Sequence, residues 1–155
     1  MSTRSNIAVK NEDGTLSVIF CHWDGYPSHN GRILLRSYKT DAKVRHLIGL
    51  GSLSHLGDTL ATRDGSNKDD LTGACAAHHR DFNYEWNECK PSIYRDENEW
   101  QGTPVCASTE WGYLYDGGKW FVVDFHIRTP NKKPLTWDYI RECVRKEKAM
   151  AKASY

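Results

Sequence analysis

Two stretches of this chain read as β-hairpins, and together they fix most of what it can fold into. In the first, Ile7 to Lys10 and Leu16 to Trp23 are apolar, β-branched and aromatic runs, separated by Asn11-Glu12-Asp13-Gly14-Thr15. In the second, Trp111 to Tyr115 and Trp120 to Phe125 flank Asp116-Gly117-Gly118-Lys119. An Asp-Gly pair between such runs is a strong short-range hairpin signal, because the tight connection needs the positive φ that glycine adopts without strain. On the strand from Leu16, side chains alternate in direction. Leu16, Val18, Phe20 and His22 share one face, and Ser17, Ile19, Cys21 and Trp23 the other. Both faces carry apolar residues, so this strand is expected to be central and covered on two sides.

Helical patterns lie between and after the hairpins. Asn30 reads as the N-cap of a helix over residues 31–38. Thr40 reads as the cap of a second helix, with Asp41 in its first turn and Val44, Leu47 and Ile48 as its buried stripe. Gly49 and Gly51 stop it. Residues 52–73 read as a long loop anchored by Leu53 and Leu56. Ala74 to His79 open a short helix, and the alternation of Phe82, Tyr84 and Trp86 with Asn83 and Glu85 reads as a strand. The acids and amides after Pro91 read as surface. Thr136 caps a final helix to about Lys152, with Trp137, Ile140, Val144 and Ala151 as a narrow buried face. This order predicts an α+β fold: a mainly antiparallel sheet built from two hairpins, helices packed on one face, and a basic C-terminal helix. The length, 155 residues, fits one domain over 1–155.

The charge pattern limits the partners. Net charge is +1, so no global field draws the chain to nucleic acid or membrane. Residues 131–155 carry seven Lys/Arg against three acids, which makes a mildly basic tail on a mildly acidic body. The start lacks the apolar core of a signal peptide, and no apolar run reaches membrane-spanning length. A cytoplasmic protein is the expectation. Its five cysteines (Cys21, Cys75, Cys89, Cys106, Cys143) are odd in number and lack Cys-x-x-Cys spacing, which fits free thiols in a reducing compartment.

The segment Cys21-His22-Trp23-Asp24-Gly25-Tyr26-Pro27-Ser28-His29-Asn30-Gly31 concentrates reactive and aromatic side chains at a strand-to-helix turn. His22 and Asp24 would point the same way on a continuing strand, where Asp24 can orient the imidazole. Gly25 lets a ligand approach the backbone. Backbone N–H groups near Asn30 to Ile33, with Arg32, would favour an anion. Trp23 and Tyr26 can stack on a ring. The alternative is structural: Trp23 as core, Asp24-Gly25 as a plain turn, His22 as a satisfied buried histidine.

Beyond these local readings, Met1-Ser2-Thr3-Arg4-Ser5-Asn6-Ile7, His22-Trp23-Asp24-Gly25-Tyr26-Pro27 and Asn30-Gly31-Arg32-Ile33-Leu34-Leu35 together resemble a family of small, mostly uncharacterised proteins encoded by bacteriophages and some bacteria. Residues 47–57 fit the same pattern. The resemblance is specific over 1–57, loose over 105–125 and absent elsewhere. It carries no established activity; it implies a phage origin and a role in host takeover or counter-defence. Within that pattern Arg4 is placed to meet Asp24 in a bidentate contact, either as a fold-specifying salt bridge or as an anion clamp.

Other constellations are weaker. Cys75, His78, His79 and Cys89 contain one Cys-x-x-His pair, but no second tight pair completes a zinc site. Cys21 and His22 are adjacent on a strand and face apart, so they form no dyad. Ser2 or Thr3 as a terminal nucleophile has only the following hairpin in its favour. Trp111, Tyr113, Tyr115 and Trp120 are either a stacking platform or sheet core. Three functions remain. The first is a non-enzymatic effector that neutralises a host factor, a defence protein or nucleotide signal, through Arg4, His22, Trp23, Asp24, Tyr26, Asn30 and Arg32. The second is a small enzyme on a phosphate-containing ligand with His22 as acid/base and Asp24 as orienter. The third is a nucleic-acid module using the C-terminal helix. No cofactor or metal is assigned, and no membrane association.

Overall fold

The computed structural model describes residues 2–61, 73–102, 109–127 and 129–153. Both hairpins form where the turn residues place them. β1 (Ser5–Lys10) pairs antiparallel with β2 (Leu16–Cys21), and Asp13 accepts from the Thr15 backbone at 3.0 Å inside the turn. Next come a π-helical turn (Pro27–Gly31), α1 (Arg32–Ser37) and α2 (Asp41–Gly49). They are followed by β3 (Leu53–His55), β4 (Ala76–Ala77), α3 (His78–Phe82), α4 (Trp86–Cys89), β5 (Ser92–Tyr94) and α5 (Glu97–Gly102). The second hairpin is β6 (Trp111–Asp116) with β7 (Lys119–Asp124), and the chain continues through β8 (Lys133–Pro134) to α6 (Trp137–Ala153).

The described strands make one mixed sheet in the order β4-β3-β2-β1-β6-β7-β8, with β5 also pairing β2. Most pairs are antiparallel. The two hairpins join through a parallel pair, β1 with β6, in register from Ser5 opposite Trp111 to Val9 opposite Tyr115. The α+β reading stands, with that parallel seam as the element that local patterns do not carry.

Alternation sorts the core onto two faces. Ile7, Val9, Ile19, Cys21, Tyr113, Tyr115, Trp120 and Val122 lie in one cluster, covered by Ile33 and Leu34 of α1, Val44, Leu47 and Ile48 of α2, and Ile140 of α6. Ala8, Leu16, Val18, Leu114 and Val123 face the other way and meet Trp100 of α5. Helices therefore gather on one face, with a single short helix plugging the other. β2 is covered on both sides, as its two apolar faces require.

Several local expectations need correction. Asn30 is not an N-cap: the helical path starts earlier, at Pro27, and the Asn30 side chain is fully buried. Residues 82–86 are not a strand. α3 ends at Phe82, Asn83 turns left-handed at φ 59°, and α4 starts at Trp86. The segment after Pro91 is not all surface, since Trp100 has no exposure. On α6, Trp137 and Ala151 are exposed, leaving Ile140 and the half-buried Val144 as the attachment. Thr40 does cap α2, accepting from the Lys43 N–H, and Thr136 likewise accepts from the Tyr139 N–H. Residues 62–72 of the predicted loop, and Cys106, lie outside the described residues. Among the described residues no helix is long and apolar enough to cross a membrane.

Trp100 is held by shape and by a hydrogen bond. Its indole N–H donates to the buried Asn6 Oδ1 at 3.1 Å, and a Cβ at Gly112 would stand 2.8 Å from its ring. Trp100→Ala should therefore lower stability by about 3–5 kcal/mol, by opening a cavity and orphaning the Asn6 carbonyl. Urea unfolding followed by far-UV circular dichroism measures this, and a loss below about 1 kcal/mol would show that the second face is not packed this way.

Candidate functional site

The turn after β2 is built from backbone bonds outward. His22 N–H donates to Leu53 O at 3.0 Å and Trp23 N–H to Ser54 O at 3.1 Å, which ties the chain to β3. Asp24 is left-handed at φ 57°, a conformation Asp tolerates better than bulky residues. Gly25 N–H donates to Thr3 O at 2.8 Å, and the buried Tyr113 hydroxyl donates to Gly25 O at 2.6 Å. A Cβ at Gly25 would sit 2.7 Å from Ser5 Cβ, so only glycine fits without displacing β1. His29 and Asn30 N–H groups both donate to Tyr26 O, at 3.0 and 3.1 Å. Asn30 Nδ2 reaches Ser5 Oγ at 3.3 Å and Cys21 Sγ at 3.4 Å.

This geometry removes the chemistry expected of the turn. The amides of His29, Asn30 and Arg32 are engaged within the turn, so no anion cradle forms there. Because Asp24 turns left-handed just beyond the strand, it does not share a face with His22; its hydrogen bond comes from the Tyr26 hydroxyl at 3.4 Å. Arg4 makes no ion pair with Asp24 among the described residues. Instead its N–H donates to the Glu110 carboxylate at 3.2 Å, and its carbonyl accepts from Glu110 N–H at 2.9 Å. Burial pushes the Cys21 thiol up to about 12, against the opposing hydrogen bond donated by Asn30 Nδ2, so it stays a neutral thiol that itself donates to Trp23 O. Arg32 is exposed, and Tyr26 is half-buried.

What the fold does assemble is an aromatic–imidazole face. Pairing of β2 with β3 brings Trp23 beside His55, and β4 runs back along β3 so that His78 N–H donates to Ser52 O at 3.0 Å. Trp23 stacks on His55 with centroids 6.2 Å apart and rings 11° from parallel, and His22 meets Trp23 edge-on at 4.7 Å. His78 stacks on Tyr84 at 5.0 Å and 17°, with Phe82 at 6.3 Å. His79 meets Trp86 at 5.2 Å and bonds Tyr84 O at 2.8 Å. Trp23, Phe82, Tyr84 and Trp86 keep 39%, 48%, 52% and 39% of their surface exposed, far above what core aromatics retain. Burial, then the charges of His22 and His55, hold the His78 pKa below the usual imidazole value.

Sequence reasoning reached His22 and Trp23 but not His55, and it left His78, His79 and the aromatics after them unconnected to the turn. The density of histidines in 22–79 was the available signal. No group of three or more His, Cys, Asp or Glu among the described residues is placed to hold a metal. Cys75 Sγ is instead within 3.3 Å of the Tyr38 hydroxyl and receives the Gly57 N–H at 3.3 Å. Tyr113, Tyr115 and Trp120 of the second hairpin are core rather than platform, and Trp111 is half-buried beside His126.

A second imidazole site closes the far end of that hairpin. His126 Nδ1 lies 2.7 Å from Asp124 Oδ1 and Nε2 lies 3.2 Å from Glu110 Oε1, with Trp111 edge-on. Burial lowers its pKa, but the hydrogen bonds and charges of the two carboxylates outweigh it and raise the pKa above 6.5. Beside the first site the Ser54 hydroxyl lies 3.0 Å from His55 Nδ1, whereas the polar partners of His126 are the two carboxylates. Both imidazole sites can hold and orient a bound group.

Two titrations follow. In proton NMR, His78 should titrate below an ordinary imidazole, and His22→Gln should move it back upward by removing one neighbouring cation; an unmoved His78 would separate the two residues. For His126 the folded pKa exceeds the unfolded one, so its stabilisation is complete below about pH 6.5 and is lost as pH rises through the folded value. The stability gap between wild type and His126→Gln should shrink over that interval, and a gap that widens with pH would contradict the double carboxylate contact. Compared with known proteins, the chain matches no family model, no curated protein and no solved structure.

Proposed function

We propose that this protein is a non-catalytic effector, phage-encoded as its N-terminal third resembles, that captures a host protein on the face formed by His22, Trp23, His55, His78, Phe82 and Tyr84. One observation carries the reading. The Gly25 and Asn30 groups at the base of the turn are bonded inward, while Trp23, Phe82 and Tyr84 are exposed with His22, His55 and His78 half-buried beside them. Exposed aromatics in a contiguous patch mark interaction surfaces, and aromatic anchors dominate binding energy at protein interfaces.

A protein partner fits better than a nucleotide signal. Phosphate recognition uses charge-assisted donors. Arg80, the arginine of α3, is engaged by Asp81 at 3.0 Å and by the carbonyls of Leu60 and Cys75. The amides of His22, Trp23, Gly25, His29, Asn30 and Arg32 are engaged as well. An enzymatic role for His22 with Asp24 loses its support because the two do not meet.

The test starts with affinity purification from the bacterial host and ends with reconstitution. The captured protein, purified, should bind the wild-type chain one to one. Trp23→Ala with Tyr84→Ala should weaken that binding by about tenfold or more, with the thermal midpoint nearly unchanged because both side chains are exposed. Undiminished binding by the double variant would place the interface elsewhere. A small molecule retained in native mass spectrometry and lost on the same substitutions would replace the protein partner with a ligand.

A further inference from the structure

The structure assigns a second binding site, sharing no residue with the aromatic–imidazole face. It is a cleft of about 490 Å³ between the end of α1, the β6–β7 turn and the segment after β8. Its walls are apolar: Leu35, Tyr38, Trp120, Phe121, Pro134 and Leu135. They are also fixed by backbone bonds. The Trp120 indole N–H donates to Tyr38 O at 2.8 Å, Leu135 N–H donates to Trp120 O at 3.0 Å, and Phe121 pairs with Pro134 across β7 and β8. A preformed apolar cleft of this volume lies in the range of small-molecule sites, and its rigidity limits the ordering cost of binding.

Charge selects the ligand. Lys39 and Lys119 stand at the cleft, exposed, and neither is in an ion pair among the described residues. Among the described residues no acid lines the cleft, and no His or Cys does. The Thr136 hydroxyl already accepts from the Tyr139 N–H, and the Tyr38 hydroxyl already donates to Gly57 O. An apolar body therefore finds walls, a negative group finds two lysines, and a positive group finds no partner. We infer that the cleft binds an amphipathic carboxylate: an alkyl or aryl chain in the cleft, with its carboxylate on Lys39 and Lys119. With the Tyr38 and Thr136 hydroxyls engaged and no thiol, imidazole or carboxylate in the described lining, the site retains its ligand without turning it over.

Decanoate is the probe, decyltrimethylammonium the charge-reversed control, both below micellar concentration. Decanoate should bind the full chain saturably at one site in calorimetry, and the cationic control about tenfold more weakly or not at all. In amide NMR, decanoate should shift the Trp120 indole N–H signal. Lys39→Gln with Lys119→Gln, both surface changes, should weaken decanoate about tenfold while leaving the cationic control unchanged. Equal affinity for the two probes would overturn the inference. So would unchanged decanoate binding by the double variant, or shifts centred away from Trp120. None of these outcomes touches the aromatic–imidazole face, so the two proposals fail separately.

Discussion

The parallel seam between β1 and β6 is the interaction on which the rest depends. A two-stranded hairpin is marginal in water by itself. The seam sets Ile7 and Val9 beside Tyr113 and Tyr115 on one face, and Ala8 beside Leu114 on the other. It continues past the strand ends through the Arg4–Glu110 backbone and carboxylate bonds. A parallel pair needs a long crossover. Here the strands it brings together are far apart in the chain, with Ser5 opposite Trp111. The described elements between the two strands, α1 to α5 and the aromatic–imidazole face among them, belong to that crossover.

That constraint explains why the turn after β2 is structural at its base. Gly25 and Asn30 join three chain segments: Thr3 and Ser5 at the start of β1, Cys21 at the end of β2, and Tyr113 in β6. A buried polar network of this kind is stable only when its members are satisfied. Satisfying them consumes the amides and side chains that would otherwise hold an anion or position an acid. Residues of the same eleven-residue turn thus divide by depth. Gly25 and Asn30 specify the junction, whereas His22 and Trp23 face outward.

The sequence made the local features legible and left the non-local ones hidden. Asp13-Gly14 and Asp116-Gly117-Gly118 act within a few residues, and so does Thr40 on the Lys43 amide; each was readable at its own position. The β1–β6 register depends on residues a hundred positions apart and has no local mark. Trp100 follows a run of acids and amides, so its surroundings read as surface although β1, β2, β6 and β7 close over it. Phe82, Tyr84 and Trp86 alternate like a strand, yet Asn83 enters the left-handed region and splits them between two short helices. Asn30 has the chemistry of a cap, but Pro27 starts the helical path earlier and turns Asn30 inward. At the site, His22 and Trp23 were visible by composition. His55 and His78 join them only through the pairing of β2, β3 and β4.

The aromatic residues show why the exposed face is more than overflow from a crowded core. Where this chain buries a large ring with a polar atom, that atom has a partner: Trp100 with Asn6, Trp120 with Tyr38 O, Tyr113 with Gly25 O, Tyr38 with Gly57 O. Each sits at a position fixed by sheet alternation or by a helix packed on the sheet. Trp23, Phe82, Tyr84 and Trp86 follow another rule. They project from a turn and from helices of four and five residues, elements too short to owe their stability to propensity. Their backbones are held by specific bonds instead: Ala77 N–H to Asp81, Tyr84 N–H to His78 O, Lys90 N–H to Trp86 O. Ordering short elements costs conformational entropy that these half-exposed rings recover only in part. The surface is held in place by backbone bonds with its apolar area left partly uncovered, and on that combination the proposed capture of a partner rests.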